Sequence, residues 1–265
     1  VNKSNGSVNG LPTVAQNPWK LLQGSYSDLA DFDKINDDGV HMITAQNKSI
    51  SNLTLTGTWY YLADHTAWTA EMAGATGGGD TNALWGDATY KADAFTLGVQ
   101  GGQISPDSID GLPLDDTTAY GFKIAGNLGM FDLSAAYTSV DDGFARAVNV
   151  GTDVKTPLYT QSILDQDVIG KDADTFKLSA GMKALGGKFG LSYINADMGN
   201  GAFDAVLYTV PPRVDGGTYE EIDFTYKTKV GENTTLFAAY VYQSDDRYND
   251  QDQNFVRFWA RYNFN

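Results

Sequence analysis

The sequence has no cysteine, 2 histidines and only 7 prolines among its 265 residues. The lack of thiols excludes disulfides, zinc–thiolate sites and cysteine nucleophiles. No stretch approaches the ~20 consecutive apolar residues that a membrane-spanning helix needs, so a helical membrane protein is excluded. Basic residues are also scarce, because 18 Lys and Arg stand against 33 Asp and Glu, a net charge of -15. Nucleic acid is therefore not an expected partner, since its phosphates require a basic surface.

The composition that remains suits strands and turns, with 29 Gly, 15 Tyr and 13 Phe. The last thirteen residues show the clearest pattern, in which apolar and polar residues alternate at period two. A strand with aromatic residues on one side and arginines on the other separates two media. In a soluble sandwich the apolar side would meet a second sheet, and in an outer-membrane barrel it would meet lipid. The apolar side consists of Val256, Phe258, Ala260, Tyr262 and Phe264, and the other side contains Arg257, Arg261 and Asn263.

Short and long connections alternate along the chain. Alternating segments are joined by the short links 92–94, 126–129, 185–188 and 230–233. Between these hairpins lie the polar stretches 101–116, 140–173, 197–217 and 244–252. This rhythm predicts an all-β, transmembrane antiparallel up-and-down barrel with about eleven or twelve strands in this chain, short periplasmic turns and long extracellular loops. Residues 39–265 are predicted to form these strands, residues 63–81 are interpreted as a loop with a partial strand, and residues 1–38 as a long loop, either a constriction loop or an extracellular one.

One parity of nearly every predicted strand is apolar and the other carries the charges. A Lys or Arg facing lipid at the midplane would cost ~2–4 kcal/mol, so the charged parity is predicted to face the interior. That many charges in a dry core would each cost several kcal/mol in desolvation, which predicts a water-filled pore. The net charge adds a weaker expectation that the pore prefers cations. The predicted pore-lining residues are Lys123, Asp132, Lys177, Lys183, Glu221, Asp223, Lys227, Arg257 and Arg261.

An acidic stretch ending in Asp37-Asp38-Gly39 allows two interpretations. Oxygen ligands at Asp31, Asp33 and Asp37 resemble part of a calcium loop, although the EF-hand spacing is not met. A solvated acidic loop is favoured, calcium remains the alternative, and no other cofactor is expected. Neither histidine adjoins a recognisable nucleophile motif, so no enzymatic activity is expected.

The segment Asn47-Lys48-Ser49-Ile50-Ser51-Asn52-Leu53-Thr54-Leu55 resembles OprD-like porins, and Asn17-Pro18-Trp19 resembles the family's upstream segment. Loop rhythm and the aromatic last strand resemble the major outer membrane proteins of campylobacterial bacteria, although Asn265 follows the final phenylalanine. The resemblance covers roughly residues 16–264.

The resemblance implies a passive diffusion channel in the bacterial outer membrane, a homotrimer of barrels with about eighteen strands in which an inward-folded loop narrows the pore. This chain would then hold the C-terminal part of the barrel, without about six or seven N-terminal strands. Outer-membrane lipid, lipopolysaccharide and small hydrophilic solutes are the expected partners. Which loop folds inward stays open, and Arg146, Lys155 and Arg213 are candidates because they lie in long loops. The competing hypothesis is a secreted or surface β-sandwich adhesin, which would stay in solution without detergent.

Overall fold

A computed structural model describes residues 40–65, 79–108, 115–143, 158–164, 172–199, 216–246 and 251–263. Eleven antiparallel strands form one sheet in chain order, which confirms the predicted all-β, up-and-down class. Within the described ranges, no helix is long and apolar enough to cross a membrane. The strands are β1 (Val40–Asn47), β2 (Leu53–His65), β3 (Gly79–Lys91), β4 (Phe95–Pro106), β5 (Thr117–Leu128), β6 (Phe131–Val140), β7 (Ala173–Ala184), β8 (Gly187–Met198), β9 (Gly217–Val230), β10 (Thr234–Asp245) and β11 (Gln251–Tyr262).

Short and long connections alternate as predicted, and three of the four predicted short links are tighter than predicted, while the link 92–94 has its predicted length. The link between β7 and β8 has only two residues, Leu185 and Gly186, with φ angles of 52° and 74°. Two successive positive φ angles match the twist of a two-residue hairpin. Gly187 and Lys188, predicted to belong to the link, already pair with Ala184 and Lys183 in the sheet.

The prediction that residues 101–116 form a loop was wrong for its first part. Strand β4 continues to Pro106, and Gly101 and Gly102 pair with Gly86 and Trp85 of β3. These residues have little apolar alternation, and their main chain is held by the neighbouring strand rather than by side-chain burial. The predicted loop 1–38 lies outside the described residues. The interpretation of residues 63–81 as a loop with a partial strand was wrong at both ends, because residues 63–65 belong to β2 and residues 79–81 to β3, and the residues between them lie outside the described ranges.

The sheet has two chemically different faces. The apolar face exposes large side chains to the surroundings, with Phe122 51%, Phe224 50% and Phe258 75% accessible. The polar face carries the alternate residues, and several of these are buried, including Thr138 and Glu221 at 0%. Buried polar and exposed apolar side chains reverse the usual arrangement of a soluble protein. All described strands belong to one sheet, so the second sheet of a sandwich does not cover the apolar face within this part of the chain.

Candidate functional site

The charged residues predicted from alternation share the polar face. Residues directly opposite one another on neighbouring strands lie on the same side of a sheet. Lys123 lies opposite Ala136, which lies opposite Lys177, and the same row continues through Ile194 to Glu221. The parity of each strand and the pairs of neighbouring rows place the rest of the predicted set on this face too: Asp132, Lys183, Asp223, Lys227, Arg257 and Arg261.

Basic side chains concentrate near the short-turn end of the polar face. Lys183, Lys188 and Lys227 are successive cross-strand partners on β7, β8 and β9. Lys188 Nζ donates a hydrogen bond to Asp132 Oδ2 at 2.8 Å, and both side chains are about half exposed. An exposed pair of this kind contributes only about 0–1 kcal/mol to stability. Lys188 was not among the predicted residues, because the sequence placed it in a turn.

A cavity of about 520 Å³ opens at this end of the polar face. Its lining includes the Lys188–Asp132 pair, Lys123 and two serines, Ser179 and Ser192, whose Oγ atoms lie 3.0 Å apart. Such a lining offers both charges and hydroxyl groups to water or to a hydrophilic solute.

Carboxylates occupy the opposite, long-loop end of the same face. Glu221 and Asp223 stand two residues apart on β9, with 0% and 3% of their surface accessible, and Asp245 on β10 is 3% accessible. Exposed lysines therefore lie toward the short-turn end of the polar face, and buried carboxyl groups lie toward its long-loop end.

Residues 158–164 lie across the polar face, and we name them the crossing segment. Thr160 Oγ1 lies 2.5 Å from Thr138 Oγ1 on β6. Further along, Lys177 Nζ on β7 donates to the carbonyl of Gln161 at 2.5 Å. The amides of Ile163 and Leu164 then donate to Glu221 on β9, at 2.8 and 3.1 Å to Oε1. The connection between β6 and β7 thus folds back over the sheet.

The beginning of the crossing segment is held by apolar contacts. Leu158, 3% accessible, packs with Ala119 and Val140, and Trp85 and Ile104 pack against this group. The crossing segment was not predicted, because residues 140–173 were interpreted as a polar stretch. Apolar side chains inside that stretch, Leu158 among them, were the signal that could have revealed it.

Tyr159 occupies the middle of the polar face. Its hydroxyl group donates a hydrogen bond to Asp87 on β3, and Lys123 Nζ lies 5.7 Å from the centre of its ring. Gly98 lies directly beneath, where a Cβ atom would come within 2.8 Å of the tyrosine oxygen. Burial, together with the hydrogen bond to Asp87, raises the pKa of Tyr159 above its usual value. The phenol therefore stays protonated at physiological pH and can donate its hydrogen bond to Asp87.

The remaining sequence candidates cannot be placed relative to this site, with the exception of His41. Asp31, Asp33 and Asp37, and the loop residues Arg146, Lys155 and Arg213, lie outside the described residues. Within the described ranges, no group of three or more acidic or His side chains is arranged to hold a metal ion. His41, on the apolar face, stacks on Tyr61 with ring centres 6.0 Å apart.

An up-and-down antiparallel sheet with an exposed apolar face and a charged opposite face is the architecture of a transmembrane β-barrel wall. Comparison with solved structures supports this assignment, because β-barrel porins match the fold. OpdO of Pseudomonas aeruginosa matches with a TM-score of 0.62 at 15% identity over 84% of this chain and 57% of that one. OprD of Pseudomonas aeruginosa matches with a TM-score of 0.59 at 12% identity, over 84% of this chain and 58% of the other.

The anion-selective porin of Comamonas acidovorans matches with a TM-score of 0.52 at 14% identity, over 84% of this chain and 59% of that porin. No protein-family model and no curated protein sequence matches. The chain therefore has the fold of a β-barrel porin, as the sequence predicted, and OprD-like porins are among the structures that share this fold. It spans somewhat more than half the length of these relatives. The finer likeness to campylobacterial proteins stays a prediction.

Proposed function

We propose that the protein is a porin of the bacterial outer membrane that passes small hydrophilic solutes and ions by passive diffusion. The observation that carries the proposal is the contrast between the two faces of one sheet. Phe122, Ile124, Phe224 and Phe258 are each about half or more exposed on the apolar face, and an exposed apolar surface of this extent requires lipid or another apolar partner.

The second part of the proposal is that the polar face lines a water-filled pore. The predicted cationic residues Lys183, Lys227, Arg257 and Arg261 remain exposed on that face. Their solvation avoids the desolvation penalty of several kcal/mol that each would meet in a dry core. The exposed members of the predicted set are therefore proposed to line the pore, with the crossing segment as the element that narrows it.

Ion selectivity is the finer part of the proposal. We propose a weak preference for cations, set by the net charge of -15 over the chain. The basic side chains at the short-turn end, Lys183, Lys188 and Lys227, limit this preference because they attract anions locally. The reversal potential in a salt gradient shows directly whether the channel prefers cations or anions. An anion-selective channel would overturn the proposed cation preference but not the proposed porin function.

Channel activity is tested by reconstitution. The purified protein added to a planar lipid bilayer should give stepwise, ohmic currents that need no energy source, and liposomes containing it should swell with small sugars. Protein-free membranes and heat-unfolded protein are the controls. A folded, membrane-inserted protein that gives neither current nor swelling would refute the porin. A protein that stays monodisperse after detergent removal would instead support the adhesin.

Assembly and ion binding extend the proposal. By likeness to porins we propose a homotrimer surrounded by outer-membrane lipid and lipopolysaccharide, tested by the mass of the detergent-solubilised particle. Calcium at Asp31, Asp33 and Asp37 is the remaining alternative to a solvated acidic loop. Equal thermal unfolding with and without a chelator would remove calcium from consideration.

A further inference from the structure

Glu221 is the residue at which the far end of the crossing segment meets the wall. Its side chain is fully buried on the polar face of β9. Oε1 accepts hydrogen bonds from the amides of Ile163 at 2.8 Å and Leu164 at 3.1 Å. Oε2 accepts a hydrogen bond from the Tyr219 hydroxyl group and lies 3.4 Å from the Leu164 amide. The one carboxylate therefore satisfies three donors.

This arrangement differs from an ordinary wall contact in two respects. One buried side chain accepts hydrogen bonds from two amides of the crossing segment and from the Tyr219 hydroxyl group, so several bonds depend on a single residue. The two amides are also consecutive, so one carboxylate fixes the direction in which the chain leaves the crossing segment. Without the carboxylate, both amides and the hydroxyl group would lose a buried acceptor that water could replace only by entering behind the segment.

We propose that Glu221 is a positioning residue, which holds the crossing segment across the bore and thereby sets the open cross-section and the size limit of the channel. The inference rests on the proposed porin function. It assigns Glu221 a different role from the one that alternation predicted, because a carboxylate bonded to the protein's own amides is not available to passing ions.

The matched control is the adjacent residue Glu220. Its side chain lies on the opposite face of β9, where Oε1 accepts bonds from Tyr193 Oη at 2.5 Å and Asn195 Nδ2 at 3.2 Å. Glu220→Ala removes the same number of atoms and the same charge from the same strand without touching the crossing segment.

Single-channel conductance and liposome swelling are the first readouts. Glu221→Ala should raise conductance roughly 1.5- to 3-fold and admit larger sugars, because a segment released from one wall leaves a wider path. Glu221→Gln, which keeps one acceptor oxygen, should lie between Glu221→Ala and the wild type. Glu220→Ala should match the wild type. Equal conductance of Glu221→Ala and Glu220→Ala would overturn the inference.

A disulfide provides a second readout that does not depend on current. Thr138 and Thr160 face each other with their hydroxyl oxygens 2.5 Å apart, and the chain has no other thiols to interfere. Thr138→Cys with Thr160→Cys should form a disulfide on oxidation, because the side chains approach closely enough for its geometry. Added to Glu221→Ala, the oxidised pair should restore the wild-type conductance, and a reductant should abolish the restoration.

These readouts separate failure of the inference from failure of the proposed function. A wild type without current refutes the porin, while the disulfide still reports whether the segment lies on the wall. A conducting wild type in which oxidation leaves the enlarged conductance of Glu221→Ala unchanged refutes the inference. If Glu221→Ala does not fold, Glu221→Gln with and without the disulfide decides by the same criteria.

Discussion

The ammonium group of Lys177 donates a hydrogen bond to the backbone carbonyl of Gln161 at 2.5 Å. The bond joins strand β7 to the middle of the crossing segment. Lys177 was predicted as a wall residue because of its parity, and it does lie on the polar face. Its charge, however, is directed at the protein's own main chain, so the wall contains residues that hold the crossing segment and residues that face open solvent.

Replacing Lys177 with methionine should loosen the crossing segment. Methionine keeps most of the side-chain length but cannot donate to Gln161 O, and an acceptor left without its partner costs up to about 1–3 kcal/mol where it is buried, and less at this partly buried position. Lys177→Met should therefore lower the unfolding midpoint in detergent. Lys183→Met, an exposed position on the same strand and the same face, is the control. An equal loss in both variants would argue against the contact.

The apolar face can be tested with two neighbouring residues of β9. Phe224 is 50% exposed on the apolar face, whereas Thr225 lies on the polar face and approaches Gly190 O at 3.4 Å. Phe224→Lys should destabilise the protein in lipid vesicles by ~2–4 kcal/mol if the position is near the midplane. Thr225→Lys should cost less, because water reaches that side. Urea unfolding in vesicles measures both, and the opposite order would show that the faces are assigned the wrong way round.

Charge reversal at the short-turn end should alter ion selectivity. Lys183→Glu with Lys227→Glu changes the local charge by four units on the polar face, and the reversal potential should shift toward cations. Lys48→Glu is the control, because Lys48 lies in the exposed turn between β1 and β2 and outside the strands. No shift in the double variant would remove these lysines from the conducting path.

Gly98 should control the ionisation of Tyr159. A Cβ at Gly98 would meet the tyrosine oxygen at 2.8 Å, so Gly98→Val should displace the ring and break its bond to Asp87. The pKa of Tyr159 should then fall from its raised value toward ~10. Tyrosinate absorbance should show one more group ionising near pH 10 than in the wild type or in Tyr159→Phe.

Gly57→Val is the control, because no atom lies within 4 Å of a Cβ at Gly57. The sign of the linkage follows from the raised pKa. Tyr159 stabilises the fold fully below its unfolded pKa of ~10, and this contribution is lost as the pH rises through the higher folded pKa. An unchanged titration in Gly98→Val would show that the ring does not depend on the missing Cβ.

Alternation predicted the strands well where side chains differ between faces and poorly where they do not. In β11, Val256 and Phe258 are 63% and 75% exposed on the apolar face, as the pattern required. In the second half of β4, Gly101 and Gly102 carry no such signal, and only pairing with β3 reveals the strand. Lys188 was missed for a related reason, because a two-residue turn cannot be distinguished from a longer one when glycine and lysine follow it.

What the sequence determined by itself was the class of fold and the chemistry of each face. Both follow from the period of two. This period is a local property of an extended backbone, so it can be recognised in the sequence without knowing which strands lie beside each other. What only the tertiary structure decided was the position of the crossing segment. Tyr159 meets Asp87 across 72 positions and Ile163 meets Glu221 across 58, and such contacts depend on how the strands are brought side by side. No local pattern could have paired them, because the hydrogen bonds that hold the segment join residues that become neighbours only when the sheet has formed.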